Sequence, residues 1–202
     1  SGLPINEPIG NLIVDVGGGT SETALISMGG VVALEAVRVG SFDLDVAIQN
    51  FIKKEFGVAI GERTAEEIKL TIGSASEYEG ELRAEVRGRH ISSGLPEVIV
   101  VSPSEIREAI EEPVSTMVDS VTSCLSKAPP EMAQDIIVQG ISLVGGGSLL
   151  KGFDKRLSEE TDVPVHIVPN ALEAVVLGAG RCIKSFESVR AMFMEDPNAL
   201  QR

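Results

Sequence analysis

The chain has little with which to grip nucleic acid. It has no tryptophan, one tyrosine and six phenylalanines in 202 residues, and only 17 basic side chains against 30 acidic ones. A formal charge of −13 argues against nucleic acid and against an anionic membrane surface as partners. Cys124 and Cys182 are far apart and form no metal-ligand or redox spacing, which suits a reducing, cytoplasmic compartment. His90 and His166 stand alone, and Ser, His and Asp are too scattered for a catalytic triad. No apolar run approaches the ~18 residues of a membrane-crossing helix, so no direct membrane insertion is expected. The first eleven residues lack the charged start and apolar middle of a signal peptide. They read as a Pro- and Gly-containing linker that something precedes.

Aliphatic side chains and glycine are plentiful. Hydrophobic residues make up 43% of the chain, enough for a core of one large or two small domains. The chain is organised around LIVDVGGGTSE, Leu12–Glu22. Leu12, Ile13 and Val14 read as a buried strand that Asp15 ends with a charge. Gly17, Gly18 and Gly19 follow as a turn whose backbone N–H groups nothing shields, and Thr20 and Ser21 add hydroxyls. Such a turn can cradle phosphate. A carboxylate at the strand tip can hold Mg2+ through water. A plain Gly-rich hairpin is the competing reading.

The same arrangement recurs at LVGGGS, Leu143–Ser148. An apolar strand feeds Gly145, Gly146 and Gly147, and Ser148 opens a stretch with helical period. Two Gly turns at strand ends in one small domain can close on a nucleotide from both sides. Neither matches the P-loop or the dinucleotide fingerprint.

Leu12–Val16, Glu22–Ser27 and Val31–Val39 form a meander of strands joined by short Gly turns. Helical spacing runs from Asp43 to Phe56, with Gly57 as its stop. Residues 58–130 read as an inserted α+β unit. In it, Thr64-Ala65-Glu66-Glu67 is a capping box for a helix to Ile72. Leu82, Ala84 and Val86 mark a half-buried strand, with Arg83, Glu85 and Arg87 on a solvated face or at a contact between copies. Val98–Val101 is a second strand. Ser102-Pro103-Ser104-Glu105 caps one helix through Leu125, bent at Pro113. A short helical piece, Glu131–Asp135, returns to the first sheet. Then come a strand Ile141–Val144, a helix Ser148–Glu160 burying Leu149, Leu150, Phe153 and Leu157, a strand Val165–Val168, and a last helix. That helix begins at Asn170 and carries Leu172, Val175, Val176, Ala179, Ile183 and Phe186. The order predicts an α/β fold: a mixed five-stranded sheet covered by helices, formed by residues 1–57 and 131–189, with a mobile tail at 190–202.

These motifs resemble the MreB family of bacterial actin homologues, which determine rod shape. The resemblance is carried by NLIVDVGGGTSE, GERTAEEIK (Gly61–Lys69), EVRGR (Glu85–Arg89), PPE (Pro129–Glu131), LVGGGSLL (Leu143–Leu150), SEETDVPV (Ser158–Val165) and the LGAGR around Gly178. It runs in order from about residue 3 to 185.

The resemblance implies an actin-like (ribonuclease H-like) fold that binds ATP with Mg2+ and polymerises into filaments. Gly17, Gly18, Gly19 and Thr20 match the family's second phosphate loop, and Asp15 the acid near the metal. Glu66, Glu67, Ile68 and Lys69 lie on the helix beside the adenosine, and Gly145, Gly146, Gly147 and Ser148 form the adenosine-side loop. Partners would be other copies of the chain and cell-shape membrane proteins. Glu67 has an alternative role as capping partner of Thr64. Glu66 and Lys69 have one as a solvated pair worth a few tenths of a kcal/mol.

The family's other half, with its first phosphate loop and membrane-binding element, is not matched, so this chain alone should hydrolyse ATP negligibly. Gly40-Ser41-Phe42 stands where the family has Gly-Gly-Asp. Phe42 could reshape the pocket or pack as core, and core is the favoured reading. Asp45 matches the family's next acid. Two other function classes stay open. One is an actin-fold enzyme of the sugar-kinase or chaperone type. The other is a filament-interaction module that needs no nucleotide.

Overall fold

A computed structural model describes residues 2–77 and 82–184. Three strands open the chain: β1 (Asn11–Val16), β2 (Ser21–Ser27) and β3 (Gly30–Val37). Short glycine turns join them, so they pair antiparallel. β7 (Ile141–Val144) and β8 (Val165–Ile167) are reached through helices and pair in parallel, as crossovers require. The sheet runs β3-β2-β1-β7-β8, the mixed five-stranded arrangement expected. β1 lies at its centre. Leu12, Val14 and Val16 are each at most 1% exposed.

Helix α1 (Ser41–Phe56) follows β3 and buries Leu44, Asp45, Ile48 and Ile52. Gly57 ends it in the left-handed region, with φ 67°. A second sheet is formed by β4 (Val58–Ala59), β5 (Ala84–His90) and β6 (Pro96–Val101), in the order β4-β5-β6. β4 is too short to stand out in the sequence. Val86 is buried on β5 while Leu82, expected on the same face, is 65% exposed.

Several boundaries differ from expectation. α2 (Glu62–Ile72) starts at an extended Gly61, so Thr64 lies inside the first turn and caps nothing. Glu67 instead accepts from Arg63 Nε, 3.2 Å away. The second capping box does form. Ser102 Oγ accepts from the Glu105 N–H, and Glu105 Oε2 accepts from the Ser102 N–H at 2.8 Å. The helix behind it is two helices, α3 (Pro103–Ala109) and α4 (Glu111–Ser126), broken at Ile110. Pro113 sits in the first turn of α4, where a missing N–H costs no helical bond.

α4 packs across β2 and β3. Cys124 lies under Thr23, and Lys127 pairs with Glu35. The C-terminal end of the expected insertion thus lies on the five-stranded sheet, and one hydrophobic core joins both regions.

α5 (Pro130–Gln139) is longer than expected. The helix expected from Ser148 is a 3-10 turn (Gly146–Leu149) followed by α6 (Phe153–Thr161). Leu150, Phe153 and Leu157 are buried, but Leu149 is 53% exposed. A second 3-10 turn (Ala171–Glu173) precedes α7 (Ala174–Lys184). Only Ala171 and Ala174 are buried there; Leu172, Val175, Val176 and Ile183 are exposed. Phe186 and the tail at 190–202 lie outside the described residues.

Candidate functional site

Parallel pairing of β1 with β7 puts Asp15 opposite Val144. Both strands therefore end at the same edge, and both glycine turns leave from it. The first turn closes on itself, with the Gly17 N–H donating to the Thr20 carbonyl at 2.9 Å. The N-terminus of α1 then sits on that turn. The Ser41 N–H donates to the Gly17 carbonyl at 3.0 Å, and the Phe42 N–H to the Gly18 carbonyl at 2.8 Å. Gly40 permits this approach, because a β-carbon there would stand 2.6 Å from the Gly18 carbonyl oxygen. Among the described residues, the N–H groups of Gly18 and Gly19 have no hydrogen-bond partner.

The second turn is held from behind. The Gly145 N–H donates to the Ala171 carbonyl at 2.8 Å. The buried Ser148 hydroxyl donates to the Gly145 carbonyl at 2.7 Å. Gly147 packs on Val16, where a β-carbon would be 2.3 Å from Cγ1. Gly146 is more open, and a β-carbon there would meet only the tip of Leu172, at 2.9 Å.

A cavity of about 620 Å³ lies between the turns, within the range of small-molecule sites. Asp15, Gly17, Gly18, Glu66, Lys69, Gly145, Gly146 and Gly147 line it, so one cavity collects most of the residues singled out from the sequence. Leu70, Leu149, Leu172 and Val175 add apolar walls. Gly19, Thr20, Glu67, Ile68 and Ser148 do not line it. Ile68 and Ser148 are buried, and helical spacing turns Glu67 away from the face of Glu66 and Lys69.

Phe42 corrects the sequence reading. It is 65% exposed, lines the cavity and lays its ring across Gly18, so it is not core. Gly40, Leu70, Leu172 and Val175 were not assigned to the site from the sequence, although Leu70, Leu172 and Val175 line the cavity and Gly40 lets α1 sit on the first turn. A glycine directly between a strand and a helix was the available signal for Gly40.

Burial raises the Asp15 carboxyl above its ordinary value, and Glu22, its partner across β1 and β2, adds to that. A nearby cation would lower it again. Among the described residues no cluster of three His, Cys, Asp or Glu side chains could hold a metal ion. One carboxylate between two amide-lined turns nevertheless fits Mg2+, which takes few protein ligands when phosphates and water supply the rest.

The MreB/Mbl protein family model matches residues 1–191. This chain belongs to the MreB/Mbl family. It is 42% identical over 187 residues to the cell shape-determining protein MreB of Escherichia coli K12, covering 93% of this chain and 54% of that protein. MreB5 of Spiroplasma citri bound to AMPPNP superposes with a TM-score of 0.88 at 35% identity, covering 96% of this chain and 58% of that one. Its ADP-bound structure gives the same TM-score at 37% identity, over 92% and 56% of the two chains. The fold is therefore actin-like. The chain spans about half the length of these MreB relatives.

Proposed function

We propose that this MreB/Mbl chain binds ATP, or its product ADP, in the cavity between its two glycine turns, and that the protein assembles with other copies into filaments governing cell shape. The observation that carries this reading is the meeting of both turns at Asp15, beside a cavity of about 620 Å³. The open N–H groups of Gly18 and Gly19 suit phosphate oxygens. The Gly145–Gly147 turn, Glu66, Leu70 and Leu172 suit the nucleoside. Asp15 would hold the water shell of Mg2+. When bound, that ion would supply charge neutralisation for the phosphates.

Nucleotide-bound relatives of 35–37% identity support this over an enzyme of the kinase or chaperone class. Phosphoryl transfer rests on positioning and charge stabilisation around the γ-phosphate. Here the Lys69 ammonium is already engaged by Ser41 and Asp45. With the family's other half unmatched, this chain on its own should bind nucleotide and hydrolyse it negligibly.

We further propose that the protein works in the cytoplasm and reaches the membrane through shape-determining membrane proteins. Among the described residues no helix is long and apolar enough to cross a membrane.

A thermal melt with and without Mg-ATP tests nucleotide binding. At a hundredfold excess over Kd the stabilisation is about 2.7 kcal/mol, a rise of roughly 5–10 °C for a domain of this size. An unchanged melting temperature at millimolar Mg-ATP contradicts the reading and favours a nucleotide-independent module.

A further inference from the structure

Lys69 lies in the last turn of α2 and is 7% exposed. All three hydrogen bonds of its ammonium go to the first five residues of α1. The ammonium donates to the Ser41 carbonyl at 3.0 Å, to Ser41 Oγ at 2.7 Å and to Asp45 Oδ2 at 2.9 Å. Asp45 is as deeply buried as its partner. Ser41 and Phe42 in turn donate their N–H groups to the carbonyls of Gly17 and Gly18.

A continuous bonded path therefore runs from the first glycine turn, through the start of α1, to α2 and the β4-β5-β6 sheet on which α2 packs. Lysine suits this point because its compact head offers three donors, which here meet three acceptors on a neighbouring helix. The second oxygen of Asp45 is buried and has no partner among the described residues. A buried acceptor left unpaired is costly.

We infer that Lys69 is a positioning residue, which couples occupancy of the Gly17–Gly19 turn to the placement of α2 and the β4-β5-β6 sheet. This rests on the reading of the cavity as a nucleotide site. A ligand that draws on the N–H groups of Gly18 and Gly19 pulls on the same peptides whose carbonyls anchor Ser41 and Phe42. Their movement reaches Lys69 through Ser41. Lys69 need not touch the ligand to act.

Amide hydrogen exchange on the full chain, with and without Mg-AMPPNP, tests this. The reporter is β5, which does not line the cavity. In the unmodified chain, nucleotide should slow exchange at Gly17–Gly19 and also slow it in β5, by about fivefold or more.

The key variant is Lys69→Met with Asp45→Leu, which removes both charges together and so leaves no lone buried charge. Lys69 lines the cavity, so the variant is read at saturating Mg-AMPPNP. It should then keep the protection at the glycine turn and lose most of the β5 response. Loss of the turn's protection at saturation overturns the inference by making Lys69 a ligand contact. Persistence of the β5 response in this variant overturns the inference while leaving the nucleotide reading intact. Absence of protection at the glycine turn in the unmodified chain overturns the nucleotide reading itself, and the inference with it.

If the double variant does not fold, Ser41→Ala serves instead. It deletes one of the three acceptors and spares the ion pair. A reduced β5 response supports the coupling, and an unchanged response overturns it.

Discussion

Gly145 backs directly onto Asp15. A β-carbon at Gly145 would stand 2.4 Å from Asp15 Oδ1 and 2.3 Å from the Val16 carbonyl oxygen, at a φ of +84°. The second glycine turn is thus packed against the end of β1, just before the first turn, through a position where no side chain fits. Gly145→Ala should cost about 2–4 kcal/mol, from left-handed strain and overpacking together. Gly19→Ala, where a β-carbon meets nothing within 4 Å, should change stability by no more than about 0.5 kcal/mol. Urea denaturation of both variants measures the contrast.

Phe42→Ala should cost about 1 kcal/mol or less, because the ring is 65% exposed and surface truncations are mild. A core phenylalanine would cost about 3–5 kcal/mol. The same denaturation measurement separates the two.

The two capping sequences should respond differently. Ser102 accepts from the Glu105 N–H, so Ser102→Ala should cost about 1 kcal/mol. Thr64 lies within α2, so Thr64→Ala should be neutral or stabilising by a few tenths of a kcal/mol. Melting temperatures of the two variants check this.

Acid should weaken the fold through Glu105 and Glu111. Hydrogen bonds from Ser102 hold the Glu105 carboxyl below its ordinary value of 4.5, and the Arg156 guanidinium does the same for Glu111. A carboxyl lowered in the folded state stabilises it above its unfolded value and loses that contribution as pH falls through the lowered one. Stability should therefore fall below about pH 4.5. Glu111→Gln, which abolishes one of these titrations, should flatten the profile in urea titrations between pH 3 and 6.

Much of the fold was legible in local sequence. Apolar runs ending in glycine announce β1 and β7, and short turns against helical crossovers separate antiparallel from parallel pairing. The start of α2 was not legible. Gly61 opens the helix with backbone alone, while Thr64 and Glu67 offer a capping pattern that goes unused. Helical period likewise tells which residues share a face, but not whether anything covers it. Leu172, Val175 and Val176 share a period and are exposed.

The site followed the same division. Each turn was legible alone. The approach of Gly145 to Asp15 was not, because the two meet only through the β1–β7 register. Lys69 was singled out only through the family resemblance; the structure places it on the cavity wall, and its bonds to Asp45 and Ser41 depend on how α2 crosses α1.

Calorimetric titration with Mg-AMPPNP, on the unmodified chain beside Gly146→Val, tests most directly whether the two turns form one nucleotide site. A side chain at Gly146 meets only the tip of Leu172, so that variant should fold while filling the cavity wall. The account predicts binding by the unmodified chain, weakened at least tenfold in the variant, a difference of about 1.4 kcal/mol or more. Equal binding by a folded Gly146→Val, or no binding by the unmodified chain, would contradict it.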